Sequence, residues 1–384
     1  MARWSRRDVL AQTLAAALAT GVRADEPADS LDAIARAKGL RFGSALGGRG
    51  LADPNYLELV RAQCGLIVPE NELKMPAVQP RPGEFHFERA TAILDYADSA
   101  NLGMRGHTLL WHHPRWLPRW LDSYDFGTEP ATAAAELLTN HIRRTTLQFG
   151  KRIVSWDVVN EAVDNLTGEM RETRLSKSIG TPDQVVGIAF RAARDALPDT
   201  ELVYNDYMGW ERDSANHRDG VLKLLERLRR DGVPVNALGL QSHIGAGNQP
   251  ANAARPFAAR DERAWRRFLT EVTGMGYRLL ITELDVNDTP LPGNRPARDA
   301  QVAALARAYL DITLDFRELR VVMAWGLADH FSWLQGRIPR ADGAPKRCAP
   351  FDDRYQPKPL RDAIAAAFRA APMHRPLAMA GEPA

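Results

Sequence analysis

What most constrains this chain is an alternation: from residue 40 onward, short apolar runs and longer amphipathic segments follow one another, eight of each. Runs this short and this rich in Val, Ile and Leu are poor helices and read as strands buried on both faces, as in a parallel sheet. They fall at 42–46, 65–69, 104–109, 155–159, 202–205, 237–241, 279–282 and 321–325. The segments between them carry helical spacing at 54–63, 87–101, 130–149, 182–196, 215–230, 259–273 and 297–316, with a last one at 359–371. Several have Gly or Pro just beyond their ends, as helix stops should. Such alternation belongs to the α/β class, and eight units favour closure, because a closed sheet has no unpaired edge. The expectation is a single (β/α)8 TIM barrel over 40–371. A doubly wound open sheet would want a Gly-rich phosphate turn after its first strand; Gly43-Ser44-Ala45-Leu46-Gly47-Gly48 lacks that spacing, and no acidic ribose partner follows in strand context.

A barrel of this kind keeps its chemistry at the C-terminal ends of the strands. Here those ends are polar or aromatic each time. Glu70, Asn71 and Lys74 follow the second run, His107 and Trp111 the third, Asn160 and Glu161 the fourth. Asn205, Asp206 and Tyr207 end the fifth, Gln241 and His243 the sixth, Glu283 and Asp285 the seventh, and Trp325 and Trp333 follow the eighth. A lone strand-end glutamate often serves only as an ion-pair partner or a helix cap. Two of them, Glu161 and Glu283, at the ends of two strands, can divide the cleavage of a glycosidic bond, one giving a proton while the other attacks or activates water. The pair points to hydrolysis of sugar chains.

Bulk properties set further bounds. The 50 basic and 48 acidic residues leave a net charge of +2 and form no basic block, so no nucleic-acid partner is expected. Cys64 and Cys348 are too few for a disulfide framework or a cysteine metal site; distant cysteines in a large core are more often free and buried, with a single bridge between the two as the alternative. His107, His112 and His113 lack the paired spacing and acidic partners of a metal centre, so neither metal nor cofactor is expected. Ser5-Arg6-Arg7-Asp8-Val9-Leu10 precedes a weakly apolar stretch from Ala11 to Val22, which resembles a twin-arginine export signal over 1–24 with cleavage after Ala24. Residues 25–39 then form a linker and first helix, and 372–384 a tail. No later apolar run is long enough for a membrane helix. The expected product is an exported monomer, periplasmic or secreted.

With these residues assembled, the chain resembles glycoside hydrolase family 10, the endo-1,4-β-xylanases. The resemblance rests on Glu70-Asn71-Glu72-Leu73-Lys74, Arg105-Gly106-His107-Thr108-Leu109-Leu110-Trp111-His112 and Trp156-Asp157-Val158-Val159-Asn160-Glu161-Ala162. It continues through Tyr204-Asn205-Asp206-Tyr207, Gly239-Leu240-Gln241-Ser242-His243, Ile281-Thr282-Glu283-Leu284-Asp285, Trp325-Gly326-Leu327 and Tyr355-Gln356-Pro357-Lys358-Pro359. Each segment alone is weak; the ordered set over roughly 40–370 is specific.

The resemblance implies that Glu161 is the general acid/base and Glu283 the nucleophile of a retaining, double-displacement hydrolysis of xylan and xylo-oligosaccharides. That mechanism places the carboxyls about 5–5.5 Å apart, against roughly 6.5–9.5 Å for inversion. It also implies that His243, oriented by Asp285, supports the nucleophile, and that Asn160 holds the sugar 2-hydroxyl. Glu70, Asn71, Lys74, His107 and Gln241 would bind sugars on the non-reducing side, with Asn205 and Tyr207 also among the substrate contacts. Trp111, Trp325 and Trp333 would be aromatic platforms, the last two crowding a hexose hydroxymethyl group. Trp116, Trp120, Trp210 and Trp265 read as packing residues. The chain departs from the family at Met75, Pro114, Met208 and Leu334, which is expected to alter the outer subsites. Read without the resemblance, the same residues also suit another retaining barrel glycosidase, a cellulase or mannanase, or a silent sugar-binding barrel.

Overall fold

The computed structural model describes residues 27–245 and 259–376, so the export signal expected over 1–24 and the end of the expected tail lie outside the described residues. In chain order its strands are β1 Arg41–Leu46, β2 Leu66–Pro69, β3 Gly103–Trp111, β4 Ile153–Asn160, β5 Glu201–Asp206, β6 Ala237–Leu240, a two-residue β7 at His243–Ile244, β8 Arg278–Val286 and β9 Leu319–Ala324. All pairings are parallel, in the order 6-5-4-3-2-1-9-8, and β6 pairs with β8 to close the ring. The short β7 pairs with the outer end of β8. All eight apolar runs are therefore barrel strands. Those numbered β3, β4 and β8 extend a residue or more past the apolar stretch at their C-terminal ends, to Trp111, Asn160 and Val286, because the backbone of the rim residues still pairs with the neighbouring strand.

The helices Pro54–Gln63, Pro130–Phe149, Pro182–Ala196 and Ala215–Arg230 coincide with the amphipathic segments. Glu88–Ser99, Glu262–Gly274, Arg295–Thr313 and Pro359–Ala370 lie within a few residues of theirs. Local chemistry sets their starts. Asp53 accepts from the N–H groups of Asn55 and Tyr56, Thr181 from that of Gln184, and Asn294 from that of Ala297, each ahead of a proline in the first turn. A cap of this kind stabilises a helix by about 1 kcal/mol.

Two apolar regions hold the barrel together. Inside the ring, Leu66, Val68, Val203, Leu280, Val321 and Met323 pack as one cluster. Outside it a larger cluster fills the layer between strands and helices and takes in Trp210 and Trp265, with Trp120 packed on its edge. Gly106 on β3 is required by close approach, since a Cβ there would fall 2.1 Å from the buried Trp156 ring. Cys64 and Cys348 are free and buried. Among the described residues no helix is long and apolar enough to cross a membrane.

One polar line interrupts the apolar interior and climbs to the rim. Arg105, fully buried, donates to Ser155 Oγ at 2.8 Å and to Asp157 Oδ1 at 2.6 Å. The other oxygen of Asp157 accepts from His107 Nδ1 at 3.0 Å. Burial of these charges is tolerable only because each is paired.

Candidate active site

Parallel pairing sets residues of adjacent strands side by side, and at the rim it joins side chains far apart in sequence. His107 lies beside Asp157, Asn160 beside Asn205, and His243 beside Asp285. Hydrogen bonds follow from that register. Asn205 Nδ2 donates to Asn160 Oδ1 at 3.0 Å and to Glu283 Oε1 at 2.8 Å. Gln241 Nε2 donates to Asn160 Oδ1 at 3.1 Å and to Glu161 Oε1 at 3.0 Å. Glu161 and Glu283 are thus linked through three amides. Glu161 turns into the cleft with a φ of 55°, in the left-handed region that side chains other than glycine seldom adopt. Its own N–H donates to the carbonyl of Asn205 at 2.9 Å, so the sheet holds the strained turn in place.

The two carboxyls sit in opposite electrostatic settings. Glu283 is nearly buried, and its Oε2 accepts from His243 Nε2 at 3.2 Å. The other ring nitrogen of His243 donates to Asp285 Oδ1 at 2.9 Å, while Asp285 Oδ2 accepts from Trp333 Nε1 at 2.7 Å. With a carboxylate facing each ring nitrogen, both must carry hydrogen, which is the imidazolium form. Burial by itself would push the imidazole down, but the charge and hydrogen bond of Asp285, followed by those of Glu283, raise its pKa to about 10. Burial also pushes the Glu283 carboxyl up, yet the His107 and His243 rings outweigh this and hold it below the usual carboxylate range. Glu161 goes the other way. Burial and then the charge of Asp206 raise it, and the Gln241 hydrogen bond offsets this only in part. Asp206 is itself fixed beneath the cleft by the Tyr204 hydroxyl and by His217 Nε2 at 3.0 Å. One carboxyl is driven to keep its proton and the other to lose it.

Around the pair lies a cleft of about 650 Å³. Glu70, Asn71, Lys74 and Trp111 form one part of its lining, and His107, Asn160, Gln241 and Tyr207 another. Trp325 and Trp333 also line it. Lys74 Nζ donates to Asn71 Oδ1 at 2.9 Å and stands 4.7 Å from the Trp111 ring centroid. Trp325 sets its ring edgewise to His107 and His243, at 5.4 and 6.3 Å between centroids. A second groove of about 870 Å³ shares Glu70, Asn71, Trp325 and Trp333 with the first, so the two adjoin along these side chains.

Several placements differ from the sequence reading. Asn205, expected to touch substrate, is completely buried under the cleft, and its amide is spent on Asn160 and Glu283. Trp116, assigned to packing, lines the cleft and stacks on Trp111 with 5.0 Å between centroids. His113, Arg115 and Arg337 line it too, and no strand-end position pointed to them. A second tryptophan so soon after Trp111, in a loop with prolines on both sides, was the available signal for Trp116. Met75, Met208 and Leu334 are buried, and with Pro114 they stay off the lining of the main cleft. The three neighbouring histidines serve separate partners: His107 bonds Asp157, His112 the carbonyl of Arg171 at 3.0 Å, and His113 the N–H of Arg115 at 3.1 Å.

Known proteins share this arrangement of strands and sequence. The model of glycosyl hydrolase family 10 matches residues 30–367. Endo-1,4-β-xylanase 5 of Pyricularia oryzae is 31% identical over 352 residues, which cover 90% of this chain and 80% of that protein. Endo-1,4-β-xylanase B of Thermotoga neapolitana is 28% identical over 337 residues, with 87% and 90% covered. The crystal structure of xylanase 10B from Thermotoga petrophila in complex with xylobiose superposes with a TM-score of 0.76 at 28% identity, covering 88% of this chain and 97% of that one. A mutant of TsXylA, an intracellular xylanase from Thermoanaerobacterium saccharolyticum, in complex with xylotriose gives 0.73 at 28%, covering 89% and 99%. A family match that takes in nearly the whole barrel, together with these relatives, leads to one conclusion: this chain belongs to glycosyl hydrolase family 10.

Proposed function

We propose that this chain is an endo-1,4-β-xylanase that cleaves internal bonds of xylan with retention of configuration, Glu283 acting as nucleophile and Glu161 as acid and then base. The observation that carries the reading is the opposed setting of the two carboxyls, one beside the His243 cation and the other beside the Asp206 anion, across a single amide-floored cleft. In the first step a Glu283 oxygen bonds to the anomeric carbon as the glycosidic bond breaks, and the departing oxygen takes the proton of Glu161. In the second, Glu161, now ionised, removes a proton from water as it attacks the same carbon and frees Glu283. Asn160 lies between the two and is placed to hold the 2-hydroxyl, a bond that strengthens as positive charge develops on the ring. Continuity of the cleft with the second groove supports binding within a chain rather than at its end.

The test is the configuration of the first product. Proton NMR during early hydrolysis of xylohexaose should show the β-anomer ahead of mutarotation; an initial α-anomer would overturn the mechanism. Parallel rates on xylan, carboxymethylcellulose and mannan should favour xylan. The twin-arginine motif at Arg6-Arg7 supports export, which expression with and without a working twin-arginine translocase would test by fractionation.

A further inference from the structure

Beyond Trp111 the cleft wall carries two guanidiniums for which the hydrolytic scheme has no use. Arg115 comes from the loop after β3 and Arg337 from the short helix Leu334–Arg337 after β9, and both line the cavity that holds Glu161 and Glu283. They converge on one ring, with Arg115 Cζ 4.8 Å and Arg337 Cζ 6.0 Å from the centroid of Trp116. Trp116 is in turn stacked on Trp111, so the ring is braced. Two other arginines near the rim are neutralised: Arg171 pairs with Asp164 at 2.9 Å and Arg340 with Asp342 at 2.8 Å. Among the described residues neither Arg115 nor Arg337 has a carboxylate partner, and both are exposed. The three carboxyls that share their cavity are engaged otherwise, Glu161 with Gln241, Glu283 with His243 and Asn205, and Glu70 with Asn71 and the charge of Lys74.

A xylose main chain is neutral, so it offers two unpaired cations nothing that a neutral hydroxyl-binding residue would not serve better. A carboxylate does match them, because a guanidinium fork meets its two oxygens side by side, and an aromatic ring under the guanidinium takes its face while leaving the N–H edge available. We propose that Arg115 and Arg337, seated on Trp116, form a subsite for the carboxylate of a uronic-acid branch, so that the enzyme favours acidic xylan over neutral xylan. This rests on the xylanase reading and names the decoration that reading leaves open.

The experiment compares a glucuronic-acid-substituted xylo-oligosaccharide with the same compound after reduction of its carboxyl to an alcohol, which keeps the branch and removes the charge. Wild-type kcat/KM should favour the acidic form by about three- to tenfold, the range of one or two partly exposed ion pairs. That ratio should shrink with added salt and fall to about one in the R115Q/R337Q double variant, while the doubly Arg→Lys variant keeps part of it. No preference in the wild type, or one that persists in R115Q/R337Q, overturns the proposal. Unbranched xylohexaose separates the two levels: if the wild-type enzyme fails to cleave it, the xylanase reading fails, whereas cleavage without any charge preference removes only the branch subsite.

Discussion

Replacing His243 by glutamine would remove the cation beside Glu283, the proposed nucleophile, at every pH while keeping a side chain of similar reach. In the native site the imidazolium nitrogen lies 3.2 Å from Glu283 Oε2, and Asp285 keeps the ring charged up to a pKa of about 10. Two unit charges about 4 Å apart interact by about 4 kcal/mol at an effective dielectric of about 20, and about 1.4 kcal/mol corresponds to one pKa unit. That sets a ceiling of about three units. Because Glu283 keeps its Asn205 hydrogen bond at 2.8 Å and the influence of His107, the expected rise of its pKa is about one to two units. The assay is kcat/KM on an aryl xylobioside from about pH 3 to about pH 9, where, on the proposed mechanism, the acid limb reports ionisation of Glu283 in the free enzyme. That limb should move up by the same one to two units. Stability carries the matching sign. The folded pKa of His243 lies above its ordinary 6.5, so its stabilising contribution is complete below about pH 6.5 and is lost as pH climbs toward about 10. Melting temperature should decline over that window in the wild type and more shallowly in the variant. An acid limb that stays where it was would refute the idea that His243 charges the surroundings of Glu283.

Glu161→Ala should slow hydrolysis of xylan by orders of magnitude, yet slow glycosylation by substrates with very good leaving groups far less, because these need little protonation; pre-steady-state bursts with a graded aryl series would show it, and equal slowing would exclude the acid role. Asn205→Leu should lower stability by about 1–3 kcal/mol, since Glu283, Asn160 and Thr282, whose Oγ1 donates to Asn205 at 2.7 Å, all lose a buried partner; urea unfolding measures the loss, and activity at neutral pH should fall with it. Lys358→Met leaves Asp329, fully buried, without its two bonds at 2.9 and 3.0 Å and with only Arg347 as a charged partner, which should cost about 3 kcal/mol. A midpoint unchanged in urea would show that the ion cluster under the loop after β9 does not stabilise the fold.

The barrel was legible because its strands are buried on both faces and so appear as uninterrupted apolar runs, and because proline and a capping residue mark several helix starts. The rim was legible for the same reason: the first polar residues after an apolar run must lie at strand ends. Depth at the rim was not. Asn160 and Asn205 are neighbouring strand-end amides in register, yet one borders the cleft and the other lies beneath it, a distinction set by the course of the surrounding chain rather than by residue type. Loop residues were harder still. Trp116 reaches the cleft from the loop after β3 and Arg337 from a single helical turn after β9, segments too short to carry a periodic pattern, and only the folded chain brings one within 6.0 Å of the other. The left-handed turn at Glu161 left no mark either, since glycine, its usual signature, is absent there.

The three amides between Glu161 and Glu283 have a consequence for how the enzyme can be altered. A primary amide offers a hydrogen to an ionised oxygen and tolerates a protonated one without itself changing charge, so the floor suits Glu161 in both halves of the cycle with no atom having to relocate. A lysine or aspartate at Gln241 or Asn205 would bias Glu161 or Glu283 toward one protonation state and stall turnover midway, however well the fold survived. Changes meant to retune which xylans are cut therefore belong on the loops after β3 and β9, and the amide floor is best left untouched.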